Sequence, residues 1–118
     1  MIIGIIGSRK RNSEEDFALV KNKFFEIYKD GDWICSGGCP IGGDEFAHRI
    51  HKEYSIPYLE FPANWKKYGK SAGFKRNGAI AKFSDVLIAC VSETRNGGTE
   101  DTIKKFIKFH GEDRLYIV

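Results

Sequence analysis

The chain has 118 residues, of which 42% are hydrophobic and 14% aromatic, and a formal net charge of +3. This length fits one domain with its own core, spanning residues 1–118, and the apolar content is too high for a disordered chain. No apolar run approaches the roughly 20 residues of a membrane-spanning helix, and a charge of +3 does not by itself mark a nucleic-acid binder.

Met1 to Ile6 has no basic segment before it and reads as a buried strand rather than a signal peptide, so a cytoplasmic protein is expected. Cys35, Cys39 and Cys90 are odd in number and lack C-x-x-C spacing, so neither a disulfide framework nor a zinc site is expected. His48 and His51, at i, i+3 with no third ligand type nearby, read as helix-surface residues, and no metal or cofactor is expected.

Ile2 to Ile6 is an apolar run of four β-branched isoleucines about Gly4, the pattern of a strand covered on both faces, and it runs into Gly7-Ser8-Arg9. Ser13 with Asp16 resembles a capping box, and Phe17, Val20, Phe24 and Tyr28 follow at helical spacing up to Asp30-Gly31. Trp33 to Cys35 predicts a second strand, leading through Ser36-Gly37-Gly38-Cys39-Pro40-Ile41-Gly42-Gly43-Asp44 into a helix with Phe46, Ile50 and Tyr54 on one face. Asp44 is the expected N-cap of that helix.

Pro57 to Phe61 reads as a third strand, and Ala63 to Ser71 lacks clean periodicity, which predicts a basic, aromatic loop. Helical spacing resumes over Ala72 to Phe83 with Phe74, Ile80 and Phe83 expected inward. Asp85 to Val91 is the strongest buried-strand signal and the expected central strand. After the loop Ser92 to Gly98, Thr99 is the expected cap of a last helix carrying Ile103, Phe106 and Ile107, and Leu115 to Val118 closes the sheet. Strands alternating with helices throughout predict an α/β, Rossmann-like doubly wound sheet of five parallel strands with helices on both faces.

In such sheets ligands bind beyond the carboxyl ends of the strands, where Gly7-Ser8-Arg9, Ser36 to Asp44 and Asn96-Gly97-Gly98-Thr99 all emerge. Glycines let a backbone approach a ligand, and free N–H groups at helix starts favour an anion. The second loop is not a Walker A motif, because Gly43-Asp44 stands where Lys-Ser/Thr should follow Gly42. Gly4-Ile5-Ile6-Gly7 is not the dinucleotide fingerprint either.

Gly7-Ser8-Arg9, Ser36-Gly37-Gly38 with Gly42-Gly43-Asp44, Phe61-Pro62-Ala63-Asn64-Trp65 with Tyr68-Gly69-Lys70, Arg76-Asn77 and Gly97-Gly98-Thr99 together resemble the SLOG superfamily, most closely its small YspA-like group. The resemblance covers nearly the whole chain in order. It implies a Rossmann-like domain that binds nucleotides or NAD-derived molecules; relatives include the Lonely Guy phosphoribohydrolases, DNA-processing domains of the DprA kind and sensor domains of antiviral defence systems. In the hydrolases an Arg and a Glu near the Gly-rich Thr motif act on an N-glycosidic bond. Arg76 matches the Arg by its place before Asn77, whereas Thr102 stands where the Glu is expected.

The expected ligand-binding set is therefore Gly7, Ser8, Arg9, Ser36, Gly37, Gly38, Gly42, Gly43, Asp44, Trp65, Tyr68, Arg76, Asn77, Gly97, Gly98 and Thr99. Arg76 suits a bidentate phosphate clamp, Asn77 could order a loop or read a base, and Trp65 and Tyr68 could stack an adenine or plug the core. Lys66, Lys67, Lys70 and Lys75 form a basic stretch with Arg76 that reads otherwise as a solvated surface.

Three functions remain open. One is binding of a nucleotide or ADP-ribose-like molecule as a sensor or sink. Another is N-glycosidic hydrolysis, with Arg76 and Glu100 or Asp101 as its chemistry. The third is single-stranded DNA binding through the basic aromatic loop. The short chain leaves little material to cover a pocket, so a homodimer or higher homo-oligomer is expected.

Overall fold

The apolar run at the start of the chain becomes β1 (Ile2–Gly7), and in the computed structural model, which describes residues 1–118, it is the middle strand of a five-stranded sheet. The other strands are β2 (Trp33–Ser36), β3 (Tyr58–Glu60), β4 (Val86–Cys90) and β5 (Leu115–Ile117), in the order β3-β2-β1-β4-β5. All pairings are parallel: Ile3 lies opposite Ile34 on one side and Val86 on the other.

The helices are α1 (Glu14–Ile27), α2 (Gly43–Tyr54), the short α3 (Trp65–Tyr68), α4 (Ala72–Phe83) and α5 (Gly98–His110). Alternation along the strands sends side chains to opposite faces. Ile3, Ile5, Ile34, Ile88 and Cys90 meet Phe17, Val20 and Phe24 of α1 and Phe46, Ala47 and Ile50 of α2. Ile6, Cys35, Leu87 and Ala89 meet Ile80 and Ala81 of α4 and Ile103 and Phe106 of α5 on the other face. A fully buried side chain such as Phe24, Phe46 or Phe106 contributes roughly 1.5–3 kcal/mol relative to exposure. The arrangement is an α/β, Rossmann-like sheet with helices on both faces.

The capping box forms as the sequence suggests: Ser13 Oγ accepts from Asp16 N at 3.0 Å and Asp16 Oδ2 from Ser13 N at 3.3 Å. Other expectations are corrected. β4 is interior but not central, because the chain crosses over β1 after β3 and leaves β4 between β1 and β5. The expected loop Ala63 to Ser71 contains α3, whose start is capped by Asn64 Oδ1 accepting from Lys67 N at 3.1 Å, followed by a 3-10 turn at Gly69–Ser71.

Phe74 and Phe83 point outward, 59% and 51% exposed. The buried stripe of α4 is phased on Ala72, Asn77, Ile80 and Ala81, whose two alanines let it lie close to α5. Phe83 instead stacks on Phe61 at 5.6 Å. Tyr54 is likewise exposed, at the margin of the apolar face of α2.

Neither Asp44 nor Thr99 is an N-cap. The caps are Gly42 (φ +85°) and Gly97 (φ +87°), whose positive φ favours glycine, and neither start has a side-chain cap.

Candidate functional site

The strand order reverses between β1 and β4, so the loops leaving these two strands diverge to opposite faces and open a crevice at their carboxyl ends. A cleft of about 350 Å³ occupies this place. Gly7, Ser8, Arg9 and Lys10 enter it from the end of β1, and Asn96, Gly97, Gly98 and Thr99 from the start of α5. Arg76 and Asn77 of α4 form one side, with Cys39 and Asp44 of the β2–α2 connection nearby and Ile6, Ile80 and Thr102 at the base.

The first turn of α5 is uncapped by any side chain, and its first backbone bond is Asp101 N to the Gly97 carbonyl at 3.2 Å. The N–H groups of Gly98 and Thr99 precede that bond and border the cleft. Thr102, which is 2% exposed, donates Oγ1–H to the Gly98 carbonyl at 3.0 Å and fixes the turn from beneath. A Cβ at Gly98 would stand 3.6 Å from Asn77 Nδ2 in ordinary contact, so the fold does not require glycine there.

Arg76 is half-buried and oriented by two bonds, Nε to Asn77 Oδ1 at 3.2 Å and Nη1 to the Gly37 carbonyl at 2.8 Å. The rest of its fork is unengaged. Asn77, 8% exposed, is fixed in turn by donating Nδ2–H to Asp101 Oδ2 at 3.1 Å, which also accepts from Lys105 Nζ at 2.8 Å. Arg9, Lys10 and Arg76 all border the cleft, and none is paired with a carboxylate. Asp44 is the one carboxylate in the wall. It is held by Ser36 Oγ at 2.6 Å and by Cys39 N, which donates at 3.1 Å.

The glycines of the second loop work behind the wall. A Cβ at Gly37 would lie 2.6 Å from Arg76 Nη1 and 2.8 Å from Asp44 Oδ2, so the missing side chain is the space these two groups occupy. Gly38 (φ +80°) leaves room for the Glu60 carboxylate, and Gly42 for the Ser8 carbonyl. A Cβ at Gly43 would overlap the backbone of Ile6 and Gly7, so that glycine seats α2 directly against β1. Ser36 is fully buried.

Nine of the expected residues thus border the cleft: Gly7, Ser8, Arg9, Asp44, Arg76, Asn77, Gly97, Gly98 and Thr99. Ser36, Gly37, Gly42 and Gly43 support it from behind, whereas Gly38 lies exposed against Glu60 and Trp65 and Tyr68 stand outside the cleft on α3, 59% and 39% exposed. Lys67 and Lys75 hold their ammonium groups over the Tyr68 ring at 5.1 and 4.7 Å. Glu100 is turned to Arg95 at 2.8 Å and does not border the cleft, and Asp101 is engaged with Asn77 and Lys105.

Lys10, Cys39, Asn96 and Thr102 line it without having been singled out as ligand contacts. Lys10 and Asn96 directly adjoin Gly-Ser-Arg and Gly-Gly-Thr, so loop adjacency was the available signal; Thr102 required the helical repeat from Gly98. Away from the cleft, burial pushes the Cys35 thiol up to about 11 and raises that of Cys90. The His48 and His51 rings are 5.8 Å apart, with His51 stacked on Tyr58 and its Nδ1 bonded to the Ile56 carbonyl.

Fold and site together define a Rossmann-like α/β domain with a cation-lined cleft at its topological switch point. Comparison with protein-family models, curated proteins and solved structures found no match.

Proposed function

We propose that this chain is a SLOG-type domain that binds a nucleotide or an NAD-derived, ADP-ribose-like molecule in the cleft, as a sensor or sequestering protein. The observation that carries the reading is the convergence of three carboxylate-free cations, Arg9, Lys10 and Arg76, on the uncapped start of α5 at the switch point. A phosphate seated there receives N–H groups from Gly98 and Thr99 and the free edge of the Arg76 fork. Asp44 accepts hydroxyl donors from a ribose.

Binding without turnover is favoured over N-glycosidic hydrolysis, because Glu100 is paired with Arg95 away from the cleft and Asp101 is engaged by Asn77 and Lys105. The exposed aromatic residues Phe74 and Phe109 of α4 and α5 support a homo-oligomer as its form. A second reading, single-stranded DNA binding, draws on the outer surface where Trp65, Tyr68 and Phe74 lie among Lys67, Lys75 and Lys105.

Calorimetry with AMP, ADP and ADP-ribose, followed by chromatography of the same mixtures, tests the proposal. Saturable binding with no released base is expected. Steady base release that disappears in Glu100→Gln would make the protein a hydrolase, and binding of oligodeoxynucleotides but none of the three nucleotides would favour the DNA reading.

A further inference from the structure

The tripeptide Arg-Asn-Gly occurs twice, as Arg76-Asn77-Gly78 and as Arg95-Asn96-Gly97. An asparagine before a glycine is open to attack on its own side-chain amide. The next backbone nitrogen reaches the amide carbon through a five-membered ring, and glycine has no Cβ to obstruct the approach. Because the neighbours on both sides are the same, the fold alone sets any difference between the two asparagines.

Asn77 is closed to this reaction. It is 8% exposed, its Nδ2 donates to Asp101 Oδ2 at 3.1 Å, and its Oδ1 accepts from Arg76 Nε at 3.2 Å. Gly78 lies inside α4, where its N–H belongs to the helical ladder. Turning the amide of Asn77 toward Gly78 would break both side-chain bonds in a buried place.

At the second copy every one of these restraints is missing. Asn96 and Gly97 are exposed between β4 and α5, and the Gly97 N–H donates to no backbone carbonyl. Thr94 Oγ1 donates to Asn96 Oδ1 at 3.1 Å, the oxygen on which negative charge develops as the nitrogen attacks. That bond uses the one hydroxyl proton of Thr94, so in the 3.3 Å contact between Ser92 Oγ and Thr94 Oγ1 it is Ser92, 7% exposed, that donates and fixes the direction of the Thr94 hydroxyl. Arg95 turns the chain at φ +49° and is pinned by Glu100 at 2.8 Å, which holds the turn presenting Asn96.

We propose that Asn96 is a self-modification site, deamidated by the backbone nitrogen of Gly97 with Thr94 as the donor to the developing oxyanion. A base takes the Gly97 amide proton, the bond from that nitrogen to Asn96 Cγ forms, and the Cγ–Nδ2 bond breaks with loss of ammonia to leave a cyclic imide. Water then opens the ring to aspartate or isoaspartate. Either product sets a carboxylate in the wall that Arg9, Lys10 and Arg76 share, and isoaspartate also lengthens the backbone just before the start of α5. Resting on the nucleotide reading, the change turns an anion site into one that repels phosphate, an irreversible switch on ligand binding.

Peptide mass spectrometry of the native protein held at mildly alkaline pH tests the modification. Asn96 should convert to the acid while Asn77 stays an amide, and in urea, where only the shared tripeptide remains, the two should react at similar rates. Thr94→Val should slow Asn96 in the native protein about two- to tenfold, the worth of one neutral hydrogen bond, and leave its rate in urea unchanged. Equal rates at the two asparagines in the native protein, or an unchanged native rate in Thr94→Val, would overturn the assignment. Calorimetry with ADP reads the consequence: Asn96→Asp should bind about three- to tenfold more weakly than wild type. Unchanged ADP affinity in that variant would remove the switch and leave the modification standing. A wild type that binds no ADP would remove the nucleotide reading and the switch with it, while the masses still decide the modification.

Discussion

Substituting alanine at two glycines separates the glycine that builds the fold from the one that faces the cleft. At Gly43 an added Cβ would overlap the backbone nitrogen of Gly7 and the carbonyl carbon of Ile6, and neither can rotate away as a side chain could. The start of α2 would have to move off β1, opening the Phe17–Phe46 contact, now 5.5 Å between ring centroids. Overpacking of this kind costs about 1–3 kcal/mol, and the rigid backbone places Gly43→Ala at about 3. For a chain of 118 residues each kcal/mol lowers Tm by roughly 3–6 °C, so a loss of about 10–15 °C is expected in thermal unfolding followed by circular dichroism.

Gly98→Ala should behave in the opposite way. Its Cβ would find Asn77 Nδ2 at 3.6 Å and nothing closer, and alanine is favoured over glycine in a helix by up to about 1 kcal/mol. Tm should therefore hold or rise slightly, while AMP or ADP-ribose binding in calorimetry should fall because the methyl group occupies the phosphate approach. A Gly43→Ala protein melting within about 2 °C of wild type would refute the close-packing argument. Unchanged nucleotide affinity in Gly98→Ala would refute the phosphate position.

The remaining expectations concern charge and exposure. Arg76→Ala should weaken a phosphorylated ligand about ten- to a hundredfold, with Arg76→Lys restoring only part, because one charge-assisted contact contributes roughly 1.5–3 kcal/mol and lysine lacks the fork. Lys67→Ala, on α3 outside the cleft, should cost much less; equal losses for both that vanish at high salt would point to a diffuse basic surface. Cys39 is half-exposed in the cleft wall while Cys35 and Cys90 are buried, so iodoacetamide should label one thiol in the native protein, and bound nucleotide should slow it; mass spectrometry of the labelled peptides would show otherwise.

Burial opposes ionisation of Asp16, but bonds from Arg11 and Ser13 outweigh it and hold its carboxyl below the ordinary value. Its contribution to stability is therefore present above the unfolded pKa of about 3.9 and lost as pH falls through the lower folded value. The stability gap between wild type and Asp16→Asn in urea titrations should close on that acid side, and a gap constant down to pH 2 would contradict the pairing.

The strands and most helices were legible because their signals are local. Four β-branched isoleucines about Gly4 at Ile2 to Ile6, or the capping pair Ser13 and Asp16, dictate their elements wherever the chain goes next. The parallel sheet followed from alternation alone, since parallel strands need crossovers, and with it the edge where the glycine loops emerge.

Tertiary structure decided what depends on phase and distance. Helical spacing allowed Phe74 and Phe83 an inward place, but α4 packs through Ala72, Asn77, Ile80 and Ala81, and only the surface of α5 and the sheet could set that rotation. The sequence marked Gly37, Gly42, Gly43 and Gly98 alike as ligand-facing. In the fold, Gly37 yields its space to Arg76 and Asp44, Gly42 to the Ser8 carbonyl and Gly43 to β1, whereas a Cβ at Gly98 meets no tight contact.

Glu100 follows Thr99 directly, yet the left-handed turn at Arg95 brings a guanidinium to it and takes it out of the cleft. Lys10 acquired its position in the cleft only when the β1 and β4 loops were set side by side. Residue type and spacing determine which groups are available to a site; which atom each one meets is settled by contacts between segments far apart in the chain, and those have no local signature.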